Sequence, residues 1–156
     1  MALKFVTRKT VRIDRVSSTW LILTFVDPDA EILYVPTEEV LPTAEREGAI
    51  PFDVPDVPMG HHGDECAFDA IRKAYAPPDP ALDRLAEIVR GADTPNKDLT
   101  PQSRGLDALA HGFRRMMIHE GYDDRESIRR QWYMYNALYI FCGGDPEKLK
   151  DPSAVR

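Results

Sequence analysis

The chain has 156 residues, 43% hydrophobic and 29% charged, with net charge −6 and pI ≈ 5.2. That length suits one domain with a real core, and the acidic balance argues against a broad nucleic-acid surface. The longest apolar run, Trp20–Val26, is too short to span a membrane. Met1–Val6 lacks the pattern of a signal peptide, and two widely separated cysteines do not form a disulfide framework. A reduced cytoplasm is the expected setting.

Leu3–Val6 reads as a short buried strand. Four cations, Arg8, Lys9, Arg12 and Arg15, follow within eight residues, and Asp14 is a candidate N-cap for what comes next. Trp20–Val26 is rich in strand formers and fits a hairpin with Glu31–Val35. The cap signal and Pro28 instead favour a helix from Asp14 to Asp27, which is preferred. Glu31–Val35 is then a strand, Thr37–Arg46 a short helix closed by Gly48, and Ala49–Val54 a third strand. This β-α-β-α-β order predicts an α/β domain with a small, mostly parallel sheet in the N-terminal third.

The remaining two-thirds read as helical. Phe68–Tyr75 stops at Pro77-Pro78, and Asp79-Pro80 opens a helix that Gly91 is expected to end. Pro101–Glu120 repeats Leu106, Leu109, Ala110, Phe113 and Met117. Asp123 and Glu126 form a candidate capping box for a last helix whose stripe is Ile128, Trp132, Tyr135, Tyr139 and Cys142. Residues 1–156 form a single domain on this reading, with 145–156 as a loose tail.

The chemistry concentrates in Met59–Asp69, which holds His61, His62, Asp64, Glu65, Cys66 and Asp69 behind the proline-rich stretch Pro51–Pro58. Loops held by rigid flanks are where chemistry usually sits. His61, Asp64 and Cys66 are close enough in sequence to share a metal ion. Mixed imidazole and carboxylate ligands suit zinc, iron or manganese. The alternative is a polar loop of hydrogen-bonded histidines. Cys66, at a helix start, is a weak candidate for a catalytic thiol, since three neighbouring carboxylates oppose its ionisation. Arginines ahead of a helix N-terminus match a tetrahedral oxyanion, against the alternative of a solvated edge.

Several stretches together resemble a known family: Phe5–Arg8, Ile13–Ile22, Phe25–Pro28, Gly48–Val54, His61-x-Gly-Asp-x-Cys-x-Phe68 and Ile88–Asp93. They are similar to the chromate-resistance domain at the C-terminal end of ChrB-type proteins, which is sometimes fused to a rhodanese-like sulfurtransferase domain. The resemblance spans residues 3–142 and supports the helix over Asp14–Val26. It selects His61, Asp64 and Cys66 over His62 and Glu65, and adds Asp93 and Asp14 as metal-ligand candidates. Where many relatives have His-x-x-Asp this chain has Arg90-Gly-Ala-Asp93, a cation that would weaken a metal site. Arg8, Arg12, Arg15 and Arg90 are the anion-binding candidates, with Arg12 and Arg15, or one of them with Arg90, expected to line a pocket shared with His61; the alternative is that Arg15 pairs with Asp14 or a loop carboxylate and only holds the loop. The function implied is binding or processing of a chromate-like or sulfate-like oxyanion, with a bound zinc, iron or manganese ion. Alternatives are a metal-dependent enzyme and a non-catalytic sensor or partner-binding module. The expected partner is the small oxyanion, with neither membrane nor nucleic acid, and self-association is left open. The DNA-binding region of full-length regulators is not expected in this chain.

Overall fold

The computed structural model describes residues 1–156. Its centre is a three-stranded parallel sheet of β1 (Lys4–Arg8), β2 (Glu31–Val35) and β3 (Ile50–Pro51), in the order β2-β1-β3. Lys4 lies opposite Glu31 and Arg8 opposite Val35, while Phe5 faces Ile50. Parallel neighbours require crossovers, and helices supply both. The first is α1 (Ile13–Leu21), continued by a wider π-type turn over Ile22–Val26, and the second is α2 (Val40–Glu47). The ambiguous run Trp20–Val26 is therefore helical. Its strand-forming residues are there because Trp20, Leu21 and Ile22 are completely buried.

Four further helices follow: α3 (Ala67–Tyr75), α4 (Pro80–Asp93), α5 (Ser103–Glu120) and α6 (Asp124–Phe141). A single core joins them to the sheet, with Phe5, Trp20, Phe52, Phe68, Leu85, Trp132, Tyr135 and Tyr139 fully buried. The architecture is α/β, with its small sheet in the N-terminal third and helices beyond it. No helix is long and apolar enough to cross a membrane.

Several local expectations give way to long-range contacts. Asp14 does not cap its own helix. The N-cap position is Arg12, without a side-chain bond, and Asp14 lies inside the first turn. The turn between β1 and α1 is held from afar: Asp124 accepts from the backbone N–H groups of Thr10 (3.1 Å) and Val11 (2.7 Å). The third strand is shorter than Ala49–Val54, because Pro51 offers no N–H and Asp53 turns into a left-handed backbone, φ 51°. Nor does Gly91 end α4, which runs on to Asp93. A Cβ at Gly91 would lie 2.2 Å from Ser103 Oγ, so that glycine permits close approach of α5. Leu109, expected on the buried stripe of α5, is half-exposed. Asp123 accepts from Glu126 N–H as a cap should, but Glu126 turns to Arg129 and Arg130.

The segment beyond Asp145 is docked rather than loose. Trp132 Nε1 (2.8 Å) and Asn136 Nδ2 (2.9 Å) both donate to the carbonyl of Lys150, and Val155 is buried. Asn136 in turn accepts from Trp20 Nε1 at 2.9 Å, so the tail closes a polar chain running into the core. Deleting residues 146–156 should lower stability by roughly 1–3 kcal/mol, the usual cost of stranding buried donors. Urea unfolding measures it, and an unchanged midpoint would make the tail dispensable.

Candidate metal centre

The proline-rich segment turns back on itself, so that Phe52 bridges to Met59, and Gly60 sits where a Cβ would lie 2.7 Å from the Val54 carbonyl. Only a glycine passes there without displacing backbone. Beyond it, His62 and Glu65 exchange both backbone hydrogen bonds around Gly63, φ 61°. This tight hairpin puts Asp64 at its exposed tip and holds His61 at its base. His62 is drawn away, its Nε2 2.8 Å from the Pro58 carbonyl.

His61 Nε2 is faced by three carboxylates. Asp93 Oδ2 lies at 3.2 Å, Asp53 Oδ1 at 3.3 Å and Asp14 Oδ2 at 3.4 Å. The chain supplies them from four places: the start of α1, the turn after β3, the loop hairpin and the end of α4. Ligand atoms of Asp14, His61 and Asp93 all fall within 4.8 Å of one another. Asp14 and Asp53 are nearly fully buried, Asp93 largely so, and the His61 side chain is 45% exposed.

Each carboxylate is held by a separate device. Asp14 accepts from the first two N–H groups of α3, Ala67 at 2.8 Å and Phe68 at 2.9 Å. It therefore caps a helix 53 residues further on. Asp53 Oδ2 takes Arg15 Nε at 3.2 Å and Arg8 Nη2 at 3.4 Å, leaving Oδ1 for His61. Asp93 reaches in because α4 continues past Gly91.

The electrostatics follow from crowding three acids around one ring. The three carboxylates push the His61 imidazole up to about 12. Burial raises the Asp14 carboxyl to about 6, against the pull of His61 and the α3 N–H groups, and repulsion from Asp53 and Asp93 adds to the rise. Burial also pushes Asp53 upward, but His61, Arg15 and Arg8 outweigh it and hold that carboxyl below the usual range. The cluster is thus a place that retains positive charge.

A proton satisfies it poorly. One Nε2–H can point straight at only one oxygen, and charge-assisted N–H···O bonds run about 2.7–2.9 Å, shorter than all three contacts. The donor set passes the test for a metal. Imidazole nitrogen and carboxylate oxygen suit zinc, iron and manganese. In a tetrahedral site with bonds of about 2.0–2.1 Å, ligand atoms stand roughly 3.3–3.4 Å apart, which the distances from His61 Nε2 to the carboxylates match, while Asp14, His61 and Asp93 as a set lie within 4.8 Å of one another. Asp53 is the member that local sequence reasoning missed. Its one sequence signal is its place in a segment of prolines and aspartates, where chain reversals occur.

The other candidates are placed elsewhere. Asp64 borders a cleft of about 440 Å³ with His61, Arg90 and Asp93, but is not in the ligand cluster. Cys66 is completely buried at the N-cap of α3, its backbone N–H (3.0 Å) and thiol (3.4 Å) on Asp69, and burial pushes the thiol upward. That environment keeps sulfur protonated. Arg90 is spent on Asp69 through Nη2 (2.7 Å) and Nε (3.1 Å), so its charge does not enter the cluster. Arg8 and Arg15 serve Asp53, and Arg12 pairs with Asp107 at 3.4 Å.

An α/β domain with a histidine ringed by acids above a polar cleft is the class these features define. The family model described as "ChrB, C-terminal domain" matches residues 5–142, and the chain belongs to that family. It is 27% identical over 137 residues to "Protein ChrB" of Cupriavidus metallidurans, covering 87% of this chain and 40% of that protein. The chain thus spans about two-fifths of the length of that curated relative. No solved structure matches.

Two predictions test the geometry. Asp14→Ala strands two buried N–H groups and should cost roughly 2–4 kcal/mol in urea unfolding, whereas Asp93→Asn, which removes no backbone cap, should cost under about 1 kcal/mol. Equal losses would mean that Asp14 does not cap α3. Protonated His61 contributes stability that is full below its unfolded value and is lost as pH rises toward about 12. Chelator-treated protein should therefore lose stability from pH 7 to 10, and His61→Ala should flatten that slope. An identical slope in the variant would mean that His61 is not raised.

Proposed function

We propose that the domain is the metal-holding, oxyanion-handling part of a chromate-resistance system. Asp14, His61 and Asp93 hold a zinc, iron or manganese ion, with Asp53, the third carboxylate, held beside them by Arg8 and Arg15. The observation that carries this reading is the single ring nitrogen faced by three carboxylate oxygens at 3.2–3.4 Å. Such an ion supplies positive charge and a coordination position open to a small ligand.

The chain's own residues define the approach. Gly63, Asp64, Arg90, Thr94, Asn96 and Leu99 line the cleft that ends at His61 and Asp93. Chromate is a dianion, and without an ion three carboxylates at the foot of this cleft repel it. Arg8 and Arg15 offset part of that charge but are committed to Asp53. Uptake of an oxyanion here therefore depends on the metal. Arg90, fixed by its fork on Asp69, stands at the wall as a preset donor rather than as a replacement for the ion.

Elemental analysis of protein purified without a histidine tag should find about one transition-metal ion per chain. His61→Ala and Asp93→Asn should lose it while keeping the wild-type circular dichroism, and Asp64→Ala should retain it. Chromate should bind metal-loaded wild type with a metal-dependent component that His61→Ala loses. Wild type that takes up no ion from micromolar zinc, manganese or ferrous iron would overturn the reading.

A further inference from the structure

A second cluster, of opposite sign, is built by the segments next to Asp14 and Asp93 together with α5. Arg12 Nη1 (3.4 Å) and Lys97 Nζ (3.5 Å) converge on one oxygen, Oδ1 of Asp107, and His111 Nδ1, whose bond goes to the Asp107 carbonyl at 2.9 Å, lies 3.2 Å from the same oxygen. Arg12 stands two residues before Asp14, and Lys97 four residues after Asp93. We infer that Arg12, Lys97 and His111 form an anion site for a tetrahedral dianion, separate from the metal centre and independent of it.

The donor count supports this. A guanidinium has five N–H groups, and Arg12 directs one side-chain bond to a protein acceptor, itself long at 3.4 Å. Lys97 adds its bond to the Ala92 carbonyl and has a third N–H to give. The Arg12 and Lys97 side chains are 27% and 28% exposed, so each has lost much of its water and remains reachable. Charge is also in excess: two fixed cations and a histidine share one carboxylate, itself only 22% exposed. On the next turn of α5, Arg114 and Arg115 carry no carboxylate partner, extending the positive potential along the helix. In a chain of net charge −6 this concentration is not an average property of the surface. Two fixed cations and a histidine gathered around one carboxylate suit a compact ligand, whereas a polyanion would be met by charges spread along a face. Sulfate, phosphate and chromate share the tetrahedral geometry that a guanidinium and an ammonium recognise together.

The test uses the full chain after chelator treatment, so that the metal centre contributes nothing. Sulfate and phosphate are titrated separately by calorimetry, with the ¹⁵N shifts of the His111 ring followed by NMR. Binding should occur without metal, weaken at high salt, and move the His111 ring. Arg12→Gln and Lys97→Gln should each weaken it at least about tenfold, with folding checked by circular dichroism. Asp107→Asn, which removes the competing carboxylate, should tighten binding several-fold. Asp93→Asn, which disables the metal centre, should leave it unchanged. Absence of binding, or equal affinity in wild type, Arg12→Gln and Lys97→Gln, would overturn the site. Binding that appears only on adding metal and is lost in Asp93→Asn would also overturn it, assigning the anion to the metal centre instead.

Discussion

The carboxylate of Asp14 is the contact on which the site depends. It is 2% exposed, and a charge taken that far from water is costly unless fully partnered. Its two oxygens meet the opening N–H groups of α3, where the helix dipole favours a negative charge. This contact fixes the start of α3 against the start of α1. The loop hairpin carrying His61 ends where α3 begins, so the same contact sets the position of the imidazole. A group that closes one helix is thereby aimed by it, as outer-shell hydrogen bonds orient metal-ligating carboxylates.

Asp69 completes the arrangement from the other side. It accepts from the Cys66 N–H and takes the fork of Arg90, tying α3 to α4 one turn before Asp93. Gly91 lets α5 approach α4 closely, and the helix continues far enough to deliver Asp93. Arg90 thus has a structural reason to be a cation. A histidine there would lack the fork that bridges both oxygens of Asp69. Its presence leaves the cluster of His61, Asp14 and Asp93 intact.

What was legible in the chain was whatever local spacing encodes. The strand-helix alternation, the helix over Trp20–Val26 and the Asp79-Pro80 start all come from patterns within a few residues. His61 was read from the loop itself, whereas Asp93 was tied to it through family resemblance, because nothing local relates positions so far apart. Asp53 escaped notice because it lies in a stretch read as strand, and its left-handed backbone is imposed by the reversal toward Met59. Asp14 looked like a cap of its own helix because local rules cannot show that its acceptors serve α3. Asp64 matched the family spacing, yet a two-residue turn with Gly63 swings it to the tip. The docking of the tail rests on Trp132 and Asn136 sharing one distant carbonyl, a pairing no pattern in residues 145–156 announces.

The two clusters show how an acidic chain keeps opposite charges from cancelling. Arg12 and Asp14 are neighbours that could pair, and pairing would quench both. Arg12 stands at the N-cap of α1 with a non-helical backbone, φ −135° and ψ −149°, while Asp14 lies inside the first turn, so their side chains leave in different directions. Asp14 enters the interior under α3, and Arg12 swings out to Asp107 on α5. Asp93 and Lys97 are parted by the end of α4, where the chain turns at Thr94 and the lysine folds back onto the Ala92 carbonyl. One side is left acidic and partly buried: Arg8 and Arg15 relieve Asp53, but Asp14 and Asp93 have no partner cation other than the His61 ring. The other is left basic, with donors unspent. Charges separated in this way are stable only when each side has a counter-charge of its own. Asp107 partly supplies it on the basic side, and the protonated ring of His61 only partly does so on the acidic one. That residual imbalance is the physical ground for expecting a cation in the first cluster and an anion in the second.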